Sequence, residues 1–420
     1  MIYFDYVDSI LHAESVSLSE ISKAVGTPFY VYSASAIKDN YQNINSALEG
    51  LNHSISYAVK ANSNVAILKL LANLGAGMDI VSSGEYLRAK SAGVSGDKIV
   101  FSGVGKTKEE MAIAIEGGIK QFNVESEPEL LALNSVAASF GKIVPISVRV
   151  NPDINAFTHE KISTGKSENK FGIPYGATPD FCEIASQFSN LKVTGIAVHI
   201  GSQLTDLEPY RKTFIKIAEL VKILRSSGHK ISGLDLGGGI GISYRDNMKV
   251  INIKEYADLI KNILGHLDCE LEFEPGRFIV GNAGLLICST IYVKRGAGRQ
   301  FLILDGAMND LVRPSMYDAY HDIIPVKEQK LGMNIKFDVV GPICETGDTF
   351  AKDRNLKVMS EGDLLAICSS GAYGAVMASE YNSRPLVPEV LVKGSKFSVI
   401  RPRPSMISII DKDIIPEWLY

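Results

Sequence analysis

Between residues 54 and 274 the chain alternates short β-favouring runs with stretches long enough for a helix, and that rhythm leaves few folds open to it. The β-rich runs fall near 54–59, 77–81, 98–102, 121–124, 145–150, 193–199, 231–236 and 270–274. Helix-length segments between them include 84–92, 108–116, 127–140, 180–188 and 209–226. Eight such units predict an α/β fold, a closed (β/α)8 barrel of the TIM type. An open doubly wound sheet usually has fewer strands and a dinucleotide fingerprint. Past Gly276 the rhythm changes. Runs at 284–293, 301–304, 336–340 and 363–367 read as strands with no crossover-length helix between them, which predicts a C-terminal all-β domain. A closed barrel has no edge for an extra strand, so the strand-like N-terminus is expected to join that β domain. The expected division is 1–28 packing with the β domain, 29–277 barrel and 278–420 β domain. A length of 420 residues, too great for one core, agrees with two domains.

Charge removes several classes of function. Lys and Arg number 43 against 47 Asp and Glu, with no basic block, so neither nucleic acid nor a membrane surface is an expected partner. No run approaches the roughly 18 apolar residues of a membrane span. Met1-Ile2-Tyr3-Phe4-Asp5 has neither a basic region nor an apolar core, so a secretory leader is not expected. Cys182, Cys269, Cys288, Cys344 and Cys368 are odd in number and show no CxxC spacing. They read as reduced thiols of a cytoplasmic protein, with no zinc or other metal framework.

If the barrel is right, chemistry belongs where its strands finish. The run Ser56-Tyr57-Ala58-Val59 ends at Lys60, whose amine would point into that region and could form a Schiff base with a carbonyl cofactor. An arbitrary lysine is a solvated surface residue. Lys60 differs only if other strand ends complete a site. The sixth run ends in His199-Ile200-Gly201-Ser202, the seventh in Gly237-Gly238-Gly239, and the eighth in Glu274-Pro275-Gly276-Arg277. Each offers what pyridoxal 5′-phosphate needs. Three glycines let backbone N–H groups approach a phosphate, although a tight turn explains them equally well. Glu274 could hold the ring nitrogen protonated, and His199 offers a flat ring to pack on it.

Nucleotide motifs fail. GxGxxG would need glycine where Ile242 stands; Gly105-Lys106-Thr107 and Gly165-Lys166-Ser167 lack the first P-loop glycine, Val100 and Glu160 holding those places. Seven histidines without HExxH exclude metalloprotease chemistry.

Tyr57-Ala58-Val59-Lys60-Ala61-Asn62, His199-Ile200-Gly201-Ser202-Gln203, the 237–239 glycines and Glu274-Pro275-Gly276-Arg277 occur in this order at barrel-like spacing. Together they resemble the fold-type III pyridoxal-phosphate decarboxylases, the alanine-racemase-like barrel group that acts on basic amino acids, over nearly the whole chain. Residues 305–321, Gly341-Pro342-Ile343-Cys344-Glu345-Thr346 and Gly371-Ala372-Tyr373-Gly374 resemble the branch acting on meso-diaminopimelate, which forms L-lysine and CO2. The resemblance implies that Lys60 is the Schiff-base lysine and His199 the stacking ring. It implies that Ser202, Gly237, Gly238, Gly239, Gly276, Arg277 and Tyr373 bind the cofactor with Glu274. Arg277, Arg313, Tyr317, Glu345 and Tyr373 would hold the substrate, and Cys344 would donate the proton. It further implies a homodimer in which Cys344 and Glu345 reach the partner's site. Thr346 stands where serine is common and keeps the hydroxyl.

The residue types suit that substrate. A distal carboxylate needs a forked, permanently charged donor, and a distal ammonium needs an acid. A strong cation on the departing carboxylate would stabilise the ground state instead. Paired arginines would be wasted on ornithine, the nearest rival class. A non-catalytic carrier would lack the β domain, and a racemase would release no CO2. Cys344 taken alone is more often a small buried hydrophobe. The polar stretch 158–172 reads as a flap over the site.

Overall fold

A computed structural model gives the structure over residues 3–155, 164–165, 169–329 and 331–420. Most of the expected flap therefore lies outside the described residues. The chain divides into two units, one of residues 38–243 and 249–279 and one of 1–37, 244–248 and 280–420.

The first unit is the barrel. Its strands are His53–Ala58, Gly77–Ile80, Ile99–Phe101, Gln121–Val124, Val144–Asn151, Leu191–Val198, Gly233–Asp235 and Glu270–Phe273. Neighbours pair in parallel, and the eighth returns to the first through Leu271 opposite His53 and Phe273 opposite Ile55, which closes the ring. Ile173–Pro174 adds a short parallel pairing to the fifth strand.

Local chemistry starts three of the crossover helices. Ser82, Thr107 and Ser126 accept the N3 backbone N–H of the helices Ser83–Ser91, Lys108–Glu116 and Glu127–Ser139. Thr107 with Glu110 completes a capping box. The side chain of Lys106, part of the rejected phosphate-loop resemblance, is buried; its amine donates to Glu129 at 2.6 Å and to the carbonyls of Gly103 and Asn123. Lys166 and Ser167 of the other lie outside the described residues.

Behind the seventh and eighth strands sits an aromatic cluster that fixes the loops above them. Tyr210 and Phe214 of helix Glu208–Ser226 meet Tyr256 of helix Ile253–Leu264 at ring separations of 5.0 and 6.2 Å. Tyr256 in turn packs edge-on against Phe273 of the eighth strand. The Tyr210 hydroxyl donates to the Gly238 carbonyl at 3.0 Å, so core packing is tied directly to the triple-glycine turn.

The second unit is β-rich. Its main sheet runs Thr349–Lys357, Asn334–Val340, Gln300–Leu304, Gly284–Arg295, Phe29–Ser33, Glu389–Lys393, Lys396–Arg401. Phe29–Ser33, which the expected boundary at 29 put with the barrel, lies in the middle of this sheet. It is buried throughout and pairs antiparallel to Gly284–Arg295 and parallel to Glu389–Lys393. The barrel ladder is already closed, so this strand finds its partners here. The N-terminal strands Phe4–Val7, Ile10–Ala13 and Val16–Ser17 form a small sheet of their own. Phe4 and Leu11 of that sheet share a core with Phe29, Val31, Leu285, Ile287, Val390 and Val392.

Replacing Phe214 with alanine should remove about 3–5 kcal/mol of stability, the cost of emptying a buried aromatic site. Denaturant unfolding followed by circular dichroism measures this; a loss below about 1 kcal/mol would show that the cluster is not structural.

Candidate active site

The barrel register brings the strand ends around one cavity of about 190 Å3 lined by Lys60, Ser102, Asn123, Arg149, His199, Asp235 and Glu274, among others. Lys60 leaves the first strand in a single helical turn, Val59–Ala61, and its amine sits 2.8 Å from Asp79 Oδ2 on the second strand. Asp79 is fully buried, and its Oδ1 has no hydrogen-bond partner among the described residues.

Glu274 closes the other side. Its Oε1 accepts from Ser102 at 3.2 Å and from Asn123 Nδ2 at 3.4 Å, and the same amide also reaches Asp235. Burial, then Asp235 and Asp79, push the Glu274 carboxyl well above the usual range. Asp235 is raised as well, by burial and by Glu272, while accepting from Asn123 Nδ2 at 2.7 Å and the Gly237 N–H at 2.9 Å.

His199 is held by the turn beside it. The Gly238 N–H donates to His199 Nδ1 at 3.2 Å, so the ring proton belongs on Nε2. Burial, with Arg149 and Lys60 nearby, lowers the ring's pKa well below its usual value, so this face of the cavity is an uncharged aromatic plane. Arg149 brings no net charge: Glu125 accepts its Nη1 at 2.9 Å, and its guanidinium lies 4.9 Å from the Phe171 ring. Glu125 also accepts the N–H groups of Gly103 and Gly172, knitting two loops to the rim.

The loops after the last three strands lock together. Leu204 N–H donates to the Gly239 carbonyl and Gly241 N–H to that of Leu204; Arg277 Nη2 donates to Ser202 Oγ at 3.0 Å. At Gly237, φ is +64° and a Cβ would lie 2.6 Å from Val198 O and 2.9 Å from His199 Nδ1. At Gly276 a Cβ would meet Ala61 Cβ at 2.9 Å. The N–H groups of Gly237 and Gly238, expected to face a phosphate, donate within the protein to Asp235 and His199. Anion capacity at this turn therefore rests more on Ser202 and Arg277 than three glycines suggested.

This cavity suits a flat, cationic ring. Asp235 and Glu274 line it with Lys60, whose amine is already matched by Asp79 as Arg149 is by Glu125. A protonated ring nitrogen against Glu274 would balance that excess of acid, as a pyridine does when its nitrogen is held charged.

The remaining expected residues lie in the β-rich unit. Arg313 is buried; its Nη1 donates to His321 Nε2 at 3.0 Å, and its guanidinium lies 4.8 Å from the ring of Tyr244, part of the segment 244–248 that belongs to this unit. Because arginine only donates, His321 must carry its proton on Nδ1, which gives it to the Cys368 carbonyl at 2.8 Å. Tyr317 ends the short helix Arg313–Tyr317 and is half-buried. Cys344 is the exposed member of the five cysteines. Its loop is built on Asp348, whose carboxylate accepts the N–H groups of Ile343 and Met308, both at 2.7 Å. Exposed Glu345 accepts from the Tyr381 hydroxyl. Tyr373 has φ +55°, a costly conformation for a bulky side chain, between Gly371 and Gly374, where a Cβ would strike Val280 O and Ser370 O.

Sequence reading missed Asp79, Asn123, Arg149 and Asp235. Each is a polar residue inside a largely apolar strand, and a polar group buried there without a partner is costly; that was the available signal. Among the described residues no cluster of His, Cys, Asp and Glu could hold a metal, and no helix is long and apolar enough to cross a membrane.

A family model described as "Pyridoxal-dependent decarboxylase, pyridoxal binding domain" matches residues 34–281. Diaminopimelate decarboxylase of Zymomonas mobilis is 45% identical over 423 aligned positions, spanning 100% of both chains. That of Pseudomonas aeruginosa is 48% identical over 400 positions, 95% of this chain and 96% of its own. The crystal structure of diaminopimelate decarboxylase from Helicobacter pylori complexed with L-lysine superposes with a TM-score of 0.91 at 42% identity, covering 94% of this chain and 98% of the other.

Gly237→Ala should fold, yet displace the His199 ring and weaken retention of a ring-shaped ligand at least about tenfold. Equilibrium dialysis of pyridoxal phosphate against the variant measures it; unchanged retention would show that the turn tolerates a side chain.

Proposed function

The chain belongs to the pyridoxal-dependent decarboxylase family, and from that membership we propose that it converts meso-diaminopimelate to L-lysine and CO2, the last step of lysine synthesis. The observation that carries this reading is the cavity that sets the Lys60 amine and the buried Glu274 carboxyl around space for a cationic ring. Full-length likeness to diaminopimelate decarboxylases of two organisms narrows the substrate.

Pyridoxal 5′-phosphate, when bound, supplies an aldehyde for amines and a ring that takes up the electron pair left as CO2 departs. The chain's own residues do the rest. Lys60 would hold the cofactor's aldehyde end, Glu274 would keep its ring nitrogen charged, and neutral His199 would offer an uncharged face beside the ring without competing for its proton. Ser202, Gly239, Gly276 and Arg277 would hold the phosphate end with Tyr373, and Gly237 and Gly238, whose N–H groups are engaged within the protein, would leave room for it. Arg313 and Tyr317 grip the distal carboxylate, with Arg277 and Tyr373 also at the substrate, and Glu345 takes the distal ammonium. Bracing by His321 supports the role of Arg313, because a fork already fixed in one orientation loses little entropy on binding a carboxylate. Cys344 delivers one proton to the carbon that CO2 leaves, so each turnover consumes a proton.

We further propose a homodimer in which Cys344 and Glu345 serve the partner's site. Both are exposed on their own chain. A second support is the C-terminal segment, where Met406, Ile407, Ile410, Ile414, Ile415, Trp418 and Leu419 are exposed, more apolar surface than an isolated chain usually leaves in water. The compartment that fits four buried free thiols is the cytoplasm.

Incubating purified protein and cofactor with meso-diaminopimelate should release CO2 and L-lysine in equal amounts. A preference for ornithine, or racemisation without CO2, would refute the assignment. Arg313→Ala should raise KM for diaminopimelate at least about tenfold while cofactor affinity stays within about twofold, the loss of one charge-assisted contact. An unchanged KM would remove Arg313 from the substrate clamp. Mixing the inactive variants Lys60→Ala and Cys344→Ala should restore up to about a quarter of wild-type turnover by random pairing of chains; no recovery under conditions that exchange subunits would refute sharing.

A further inference from the structure

The polar column that begins at Glu274 does not end in the cavity. Glu272 lies two residues earlier on the same strand, hence on the same face, and is the register partner of Asp235 on the seventh strand. It is buried, yet its Oε2 accepts from Lys120 Nζ and Ser54 Oγ, both at 2.5 Å, while its Oε1 has no hydrogen-bond partner among the described residues. Lys120 also reaches Glu270 at 2.7 Å. Lys120, Ser54 and Glu270 stand at or next to the starts of their strands, so they mark the mouth of the barrel opposite the one that holds Lys60.

We infer that the Lys120–Glu272 pair, acting through the barrel axis from the opposite mouth, sets how readily the Asp235–Glu274 pair gives up the proton it shares. The inference rests on the reading of Glu274 as partner of the ring nitrogen. Two buried carboxyls that reach the same Asn123 amide resist carrying two charges in a dry interior, so one proton stays with the pair. If Glu274 is to meet a cationic ring as a carboxylate, that proton belongs on Asp235. The charge of Glu272 beside Asp235 favours keeping the proton there, and Lys120 opposes it. Other charges face the column too: Asp79, Lys60 and Glu85 from the cavity side, and Tyr41 beside Glu272. None of them changes in the variants below. Lys120 and Glu272 are positioning residues, since neither lines the cavity.

The test follows cofactor affinity, not turnover. Apoprotein is titrated with pyridoxal phosphate between about pH 6 and pH 9.5, reading the visible band of the bound cofactor, for wild type, Lys120→Met, Glu272→Gln and the double variant; the window brackets a carboxyl raised by burial. Lys120→Met should move the midpoint of the affinity profile up by about half a pH unit or more, Glu272→Gln should move it down, and the double variant should return near wild type. The return would distinguish charge from simple damage, because two structural lesions add instead of cancelling. Superimposable profiles, or single shifts of the same sign, would overturn the inference and leave the assignment of Lys60 intact. A band that forms equally well in Lys60→Ala would overturn the assignment itself, and the inference with it.

Discussion

Everything at the cavity depends on the ladder between the last barrel strand and the first. Because Leu271 pairs with His53 and Phe273 with Ile55, the ends of these strands arrive side by side, and the Ala58 N–H donates to the Pro275 carbonyl just beyond them. Lys60 and Glu274 are thereby brought to the same rim from positions more than two hundred residues apart. Gly276 permits the approach, since any side chain there would collide with Ala58 and Ala61. A slip of one residue in this ladder would turn Glu274 out of the barrel and leave the amine without its opposite group.

Closure also explains the electrostatics. A barrel interior of this size is filled by side chains, and here an unusual share of them are acids: Asp79, Asp235, Glu272 and Glu274. Apolar packing would be more stable, so the acids are a concession to function. Lys60 answers Asp79 and Lys120 answers Glu272, one at each mouth. Burial pushes both carboxyls of the middle pair, Asp235 and Glu274, upward, which matches a site meant to receive a cation. His199, kept neutral by burial with Arg149 and Lys60 nearby, adds no charge of its own.

Much of this was legible from residues alone, for reasons of range. Strand–helix alternation is a local signal, and so are the short motifs at strand ends; both were readable at Lys60, His199, Gly237 and Glu274. What escaped was set by distant contacts. Phe29–Ser33 looks like any other strand until the closed ladder denies it a place, and residues 244–248 join the β-rich unit although barrel residues flank them in the chain. Asp348 carries the Cys344 loop through backbone N–H groups, which no motif records. Asp79 and Asp235 were visible as acids in apolar runs, but only the barrel's curvature shows them facing one another's partners.

The central claim is that one amine, Lys60, holds the cofactor. Reducing the resting holoenzyme with borohydride and mapping its peptides by mass spectrometry tests that claim without reference to turnover. A pyridoxyl phosphate group attached to Lys60 alone is the expected result. The same group on Lys106, Lys120 or any other lysine, or a protein left unlabelled, would contradict it.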